Sequence, residues 1–136
     1  MSVTDRFTQQ HHEIISLCNH LVECSIEKYI SNDASFVHNL QTSLFKVLDL
    51  HLKLEDTALY PMLHEHKNPS VRATSLRLKD EFLSCAHIYT LYQKNYSTTG
   101  DIEVSSAQYV KDTQYLVKMI RSRINKEERE LYSLLR

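Results

Sequence analysis

The sequence predicts an all-α protein, an up-down-up-down bundle of four helices that fills one domain over residues 1–136. Three observations predict it. One glycine and two prolines leave too few turn formers for a strand-rich fold. Apolar residues recur at three- and four-residue steps along four long stretches, the period of helices with one buried face. Short polar breaks separate those stretches, with no linker and no low-complexity run between them, so successive helices pack antiparallel.

The first helix is expected from a cap at Thr4 or Asp5 to about Tyr29. Its inward row reads Phe7, His11, Ile14, Cys18, Leu21 and Ile26; His12 falls on the flank and His20 on the opposite side. Ser31-Asn32-Asp33 is a polar break, and Asp33 or Ser35 caps a second helix from about Ala34 to Leu63. Leu40, Leu44, Val47, Leu48, Ala58, Leu59 and Met62 form its apolar stripe, and Pro61 distorts its last turn. His64 to Pro69 is a connection with solvated histidines, and Pro69 suits the first turn of a third helix from about Ser70 to Tyr96. There one row reads Val71, Ser75, Leu78, Phe82, Cys85, Tyr89, Tyr92 and Tyr96. A second row, Leu76, Leu83, His87 and Leu91, is displaced around the helix, so His87 faces inward only in a different register. After Ser97 to Asp101, which holds the single glycine, a fourth helix runs to about Leu134. Its inward row is Val110, Thr113, Val117, Ile120, Arg123 with Ile124, Glu127, Leu131 and Leu134.

Composition narrows the function. A net charge of -1 offers no electrostatic footprint for nucleic acid. No apolar run approaches a membrane span. The three cysteines, with no Cys-x-x-Cys and no leader peptide, are expected as free thiols in the cytoplasm. One glycine rules out a glycine-rich phosphate loop, and no serine or cysteine stands in the setting of a catalytic nucleophile.

The informative residues are the polar ones on inward rows. His11 sits on the first helix, His51 and Glu55 one turn apart on the second, Arg123 and Glu127 one turn apart on the fourth. Buried polar groups need partners. A buried hydrogen-bond network supplies them; so does a metal ion, since neutral imidazole and carboxylate both bind iron, manganese or zinc.

These stretches resemble the hemerythrin family and its HHE cation-binding relatives. His11-His12-Glu13-Ile14-Ile15-Ser16-Leu17 is similar to the family's first-helix motif. His51 to Leu63, with Glu55-Asp56 followed by Leu59-Tyr60-Pro61-Met62-Leu63, is similar to the second-helix signature and is the most specific match. Arg123 to Glu128, followed by Leu131-Tyr132, resembles the fourth-helix signature, which normally starts with histidine; Lys79-Asp80-Glu81-Phe82 falls where the family usually has Glu-His. The resemblance implies a helical bundle with a non-haem iron site, and it leaves His11, His51, Glu55 and Glu127 as the ligand set. Phe82 and Arg123 stand at two lost ligand positions. The fourth-helix stretch from Ser122-Arg123 to Leu135 also resembles the regulator-of-sigma-D anti-sigma proteins, helical bundles that bind a sigma factor.

Two expectations follow. In one, the four ligands hold a single ion, and the protein binds or senses oxygen, nitric oxide or iron. In the other, Arg123 replaces the cation, Phe82 fills the vacated volume, and the bundle acts by contact with a protein partner or as a homodimer. Oxidative catalysis needs open coordination and several ligands to hold the metal, and this inventory is short of them, so binding is expected rather than catalysis.

Overall fold

The computed structural model describes residues 2–135. Helix α1 (Val3–Cys24) starts at a capping box in which Ser2 accepts from the Asp5 N–H and the Asp5 side chain returns to the Ser2 backbone. The cap is therefore Ser2, and Asp5, expected as the cap, is its partner. The helix also stops earlier than its periodicity suggests. Ser25 and Ile26 leave helical geometry, and Ile26, expected inside, is exposed.

Helix α2 (Glu27–Leu54) begins with a short helical lead, then kinks at Asp33, whose φ of -157° is extended. The Asp33 side chain accepts from the Phe36 N–H at 3.1 Å, so the expected cap is in place although the chain is helical on both sides of it. The helix then continues through a π-helical segment, Glu55–Leu59, into α3 (Tyr60–His64). The wider turn shifts the register. Leu59 is buried as expected, but Ala58 and Met62, also expected inside, face solvent, and Tyr60 and Leu63 are buried instead. Pro61 has no N–H to donate, which favours such a bulge. His64 and His66 are half-buried rather than solvated; His66 Nδ1 accepts from the Asn68 N–H at 3.0 Å.

Asn68 caps α4 (Pro69–Glu81), with Pro69 at its first position. Phe82, with ψ near 0°, separates α4 from α5 (Leu83–Asn95) without opening the hydrogen-bond ladder on either side. Phe82 faces the interior and His87 is exposed, which settles the register of this hairpin arm. A Thr98–Asp101 capping box opens a single short helix, α6 (Thr99–Val104), before α7 (Ser106–Lys126). The last helix then repeats the device of the second: a π-helical segment, Glu127–Leu131, and a final 3₁₀ turn, Tyr132–Leu135. Tyr109, Leu116 and Tyr132 take inward places that the fourth-helix row did not include, and Leu134 lies outside.

Four long arms thus pack as a bundle, with no strand among the described residues. The apolar interior is divided. A larger cluster holds Ile14, Leu21, Leu44, Tyr92, Tyr109 and Leu116. A smaller one holds Phe7, Leu59, Leu63, Leu78, Phe82 and Leu131. His11, His51, Glu55 and Glu127 fall between the two along their helices. The three cysteines are free thiols, and no helix among the described residues is long and apolar enough to cross a membrane.

Candidate metal centre

Each functional side chain is buried because the residues one turn before and after it are core. His11 lies between Phe7 and Ile14 on α1; His51 and Glu55 lie between Leu48 and Leu59; Glu127 lies between Ile124 and Leu131. His11, His51, Glu55 and Glu127 are all buried, and one ligating atom from each falls within 4.8 Å of the others.

The imidazoles are oriented from behind. His11 Nδ1–H donates to Glu128 Oε2 at 2.7 Å, and His51 Nδ1–H donates to the Gln10 amide oxygen at 2.6 Å. A ring held at Nδ1 by an acceptor presents its Nε2 lone pair, the arrangement found behind metal-bound histidines. The two Nε2 atoms stand 3.1 Å apart. Glu55 Oε1 lies 2.6 Å from His51 Nε2 and 3.8 Å from His11 Nε2; Glu127 Oε1 lies 3.5 Å from His11 Nε2.

The carboxylates are also held by one side only. Glu55 Oε2 accepts from Arg123 at 2.7 Å, and Glu127 Oε2 accepts from the Tyr60 hydroxyl at 2.7 Å. Their Oε1 atoms are buried with no hydrogen-bond partner. With both rings neutral and protonated at Nδ1, the result is four electron-pair donors, two nitrogens and two oxygens, facing one another with no donor hydrogen among them. Buried acceptors in that state are costly unless a cation sits between them. Ligand atoms at about 2.0–2.2 Å from a shared ion stand roughly 3–3.6 Å apart, and the observed separations bracket that range. The residues present therefore fit one metal ion.

In the absence of a metal, a proton serves the same end. Burial works against a charge on His11, but contacts with Glu127 and Glu55 outweigh it and raise its pKa to about 9. Burial likewise opposes ionisation of Glu55, yet its contacts with His11 and His51, and the Arg123 charge, hold it well below the usual carboxylate range. Glu127 is pushed up, by burial first and by the Glu55 charge second.

Arg123 does not occupy the space between the imidazoles. Its guanidinium lies over the Phe82 ring, 4.6 Å from the centroid, and grips the other oxygen of Glu55. The second and fourth arms repeat one another in sequence: His51, Glu55, Leu59-Tyr60 on one, Arg123, Glu127, Leu131-Tyr132 on the other, at the same spacing. Both bury the carboxylate at the start of a π segment and the tyrosine just after it. One half of this repeated frame keeps its histidines. In the other half, Phe82 and Arg123 form an apolar-plus-cation pair.

Four contributors were not apparent from the inward rows: Gln10, Glu128, Tyr60 and Tyr132. Gln10 and Glu128 each adjoin a buried site residue in sequence. The two tyrosines belong to the repeat, and its Leu-Tyr pair is the signal that marks them. A cavity of about 40 Å³ adjoins the site, lined by Leu48, Leu52, Cys85 and Leu116, with His51 and Arg123 at its polar edge; that is room for one small molecule.

A family model described as the Hemerythrin HHE cation binding domain matches residues 2–135. No curated protein and no solved structure matches the chain.

Proposed function

The chain belongs to the hemerythrin HHE cation-binding family, and from that premise we propose that it binds one divalent cation, iron foremost, as a binding or sensing protein rather than an enzyme. His11, His51, Glu55 and Glu127 are the ligands, through the four atoms that face one another. The observation that carries this reading is the inward-facing set of unpartnered lone pairs, each held from behind by a second residue. Two imidazoles with two carboxylates suit ferrous iron, manganese or zinc by ligand hardness. When bound, the ion supplies a positive centre with open coordination for a small ligand such as oxygen or nitric oxide, and the adjoining apolar cavity favours such a ligand.

This chain's own residues do the rest. Gln10 and Glu128 fix the imidazole tautomers. Tyr60 and Arg123 hold the carboxylates in place. The apolar clusters on both sides keep water from competing for the ligands.

One observation favours a second reading, a metal-free regulatory bundle that acts on a protein partner: the 2.7 Å Arg123–Glu55 ion pair already neutralises one carboxylate. Elemental analysis of protein purified without chelator, with an anaerobic ferrous titration, separates the two. The metal reading expects one ion per chain, and expects His51→Ala to lose both the ion and the ion-dependent rise in melting temperature. No uptake by the wild-type chain would leave the second reading standing.

A further inference from the structure

Tyr132 is a buried side chain at the centre whose only polar side-chain atom has no assigned use. Its ring is fully buried and lies parallel to that of His11, with centroids 5.7 Å apart and planes within 5°. Its hydroxyl is buried without a hydrogen-bond partner. Buried tyrosine hydroxyls nearly always find one. The repeat makes the omission sharper. Tyr60 occupies the corresponding position on the second arm, and its hydroxyl donates across the bundle to Glu127 at 2.7 Å. The symmetric partner for Tyr132 is Glu55, but Glu55 Oε2 is taken by Arg123 and Oε1 faces the imidazoles. Arg123 thus holds the carboxylate oxygen that the repeat would offer to Tyr132.

We propose that the Tyr132 oxygen is a fifth protein ligand to the bound cation, and that it ligates as phenolate when the ion is trivalent. The inference rests on the metal reading above. Charge favours the assignment. Around the centre stand one guanidinium, Arg123, and three carboxylates, Glu55, Glu127 and Glu128. A divalent ion with neutral histidines cancels the net charge of this group, and Tyr132 keeps its proton. A trivalent ion leaves one positive charge in excess. Tyr132 removes it: the oxygen–metal bond forms, the O–H bond breaks, and the proton leaves for solvent, with no change in oxidation state. A phenolate next to two carboxylates is otherwise strongly disfavoured in this interior, so the ligand exists only with the ion.

Phenolate bound to ferric iron has an intense visible charge-transfer band that carboxylate and imidazole ligands do not produce. Wild type, Tyr132→Phe and Tyr115→Phe, the last altering an exposed tyrosine of α7, would each be loaded with ferric ion delivered from nitrilotriacetate and freed of excess by gel filtration. Iron content and visible spectrum would then be measured together. The wild type and Tyr115→Phe are expected to show the band, and Tyr132→Phe to keep iron but lose it. Metal-free Tyr132→Phe is expected to be as stable as wild type or more so, since it removes only an unpaired hydroxyl. Iron bound without a visible band, or a band that survives Tyr132→Phe, overturns the assignment and leaves the metal reading intact. A chain that takes up no ferric or ferrous iron overturns both.

Discussion

The bundle carries two buried polar clusters, and they differ in a way that composition does not reveal. In the larger apolar cluster, Tyr109 donates to Gln41 at 2.8 Å, Gln41 donates to the Tyr96 carbonyl at 2.7 Å, and Tyr92 shares a hydrogen with Thr113 at 2.7 Å. Tyr96 donates outward to Asp112. None of these side chains has a buried atom without a partner. At the other cluster, Glu55 Oε1, Glu127 Oε1, Arg123 Nε and the Tyr132 hydroxyl are all buried and unmet. Both clusters join helices across the core. The first is closed and needs nothing more; the second has the charge and the lone pairs for one more cation. Unmet demand, not buried polarity, distinguishes a binding site from a structural network.

The largest way to break this contrast is Arg123→Ala. In the presence of chelator it leaves Glu55 as a buried carboxylate without its guanidinium, and the expected loss is about 3–5 kcal/mol, read by urea unfolding. With a divalent ion present, Glu55 has a second cationic partner and the loss should shrink. Equal losses in both conditions would mean that the ion does not engage Glu55, and the open cluster would then be an ion-pair network like any other.

Much of this contrast was legible in sequence, and the limits have physical causes. The 3.6-residue period placed His11, His51, Glu55, Phe82 and Glu127 on buried faces, as the structure has them. It failed where the backbone leaves that period. The π segments at Glu55–Leu59 and Glu127–Leu131 rotate everything beyond them, so the period puts Met62 and Leu134 inside and leaves Tyr60 and Tyr132, which the second- and fourth-helix motifs contain, off its inward rows. The end of the first helix was misplaced because Ile26 continues the apolar row, while the chain turns at Ser25. The polar residues behind the ligands, Gln10 and Glu128, adjoin site residues, and nothing in a periodic pattern tells a side chain that reaches back into a site from one that faces water. The closed cluster was harder still: Gln41, Tyr109 and Thr113 pair across distant helices, and only Thr113 lay on an expected inward row.

A smaller effect, on the order of 3 kcal/mol for a shift of this size, separates the clusters by pH. His11 has its pKa raised from 6.5 to about 9 in the metal-free fold. The stability that its proton contributes is therefore fully present below about pH 6.5 and is lost as pH rises through about 9. Chelated protein should lose stability across that window in urea unfolding. Bound metal displaces the proton, so the loaded protein should lack this slope and the ion should bind more tightly as pH rises. A slope of equal size in loaded and chelated protein would place His11 outside the coordination sphere.

The smallest expected effect tests the closed cluster. Gln41→Leu leaves the Tyr109 hydroxyl and the Tyr96 carbonyl without their partner, at a cost of about 1–3 kcal/mol. Because Gln41 lies in the cluster that needs no cation, that cost should be the same with chelator and with ion, and iron stoichiometry should not change. The equality is the informative part. The two clusters share α2 and α7 but no hydrogen bond joins them among the described residues, so substitutions in one should add to those in the other. If Gln41→Leu instead weakened iron binding, the α2 and α7 backbones would be carrying strain between the clusters, and the π segment that follows His51 would be the place to look for it.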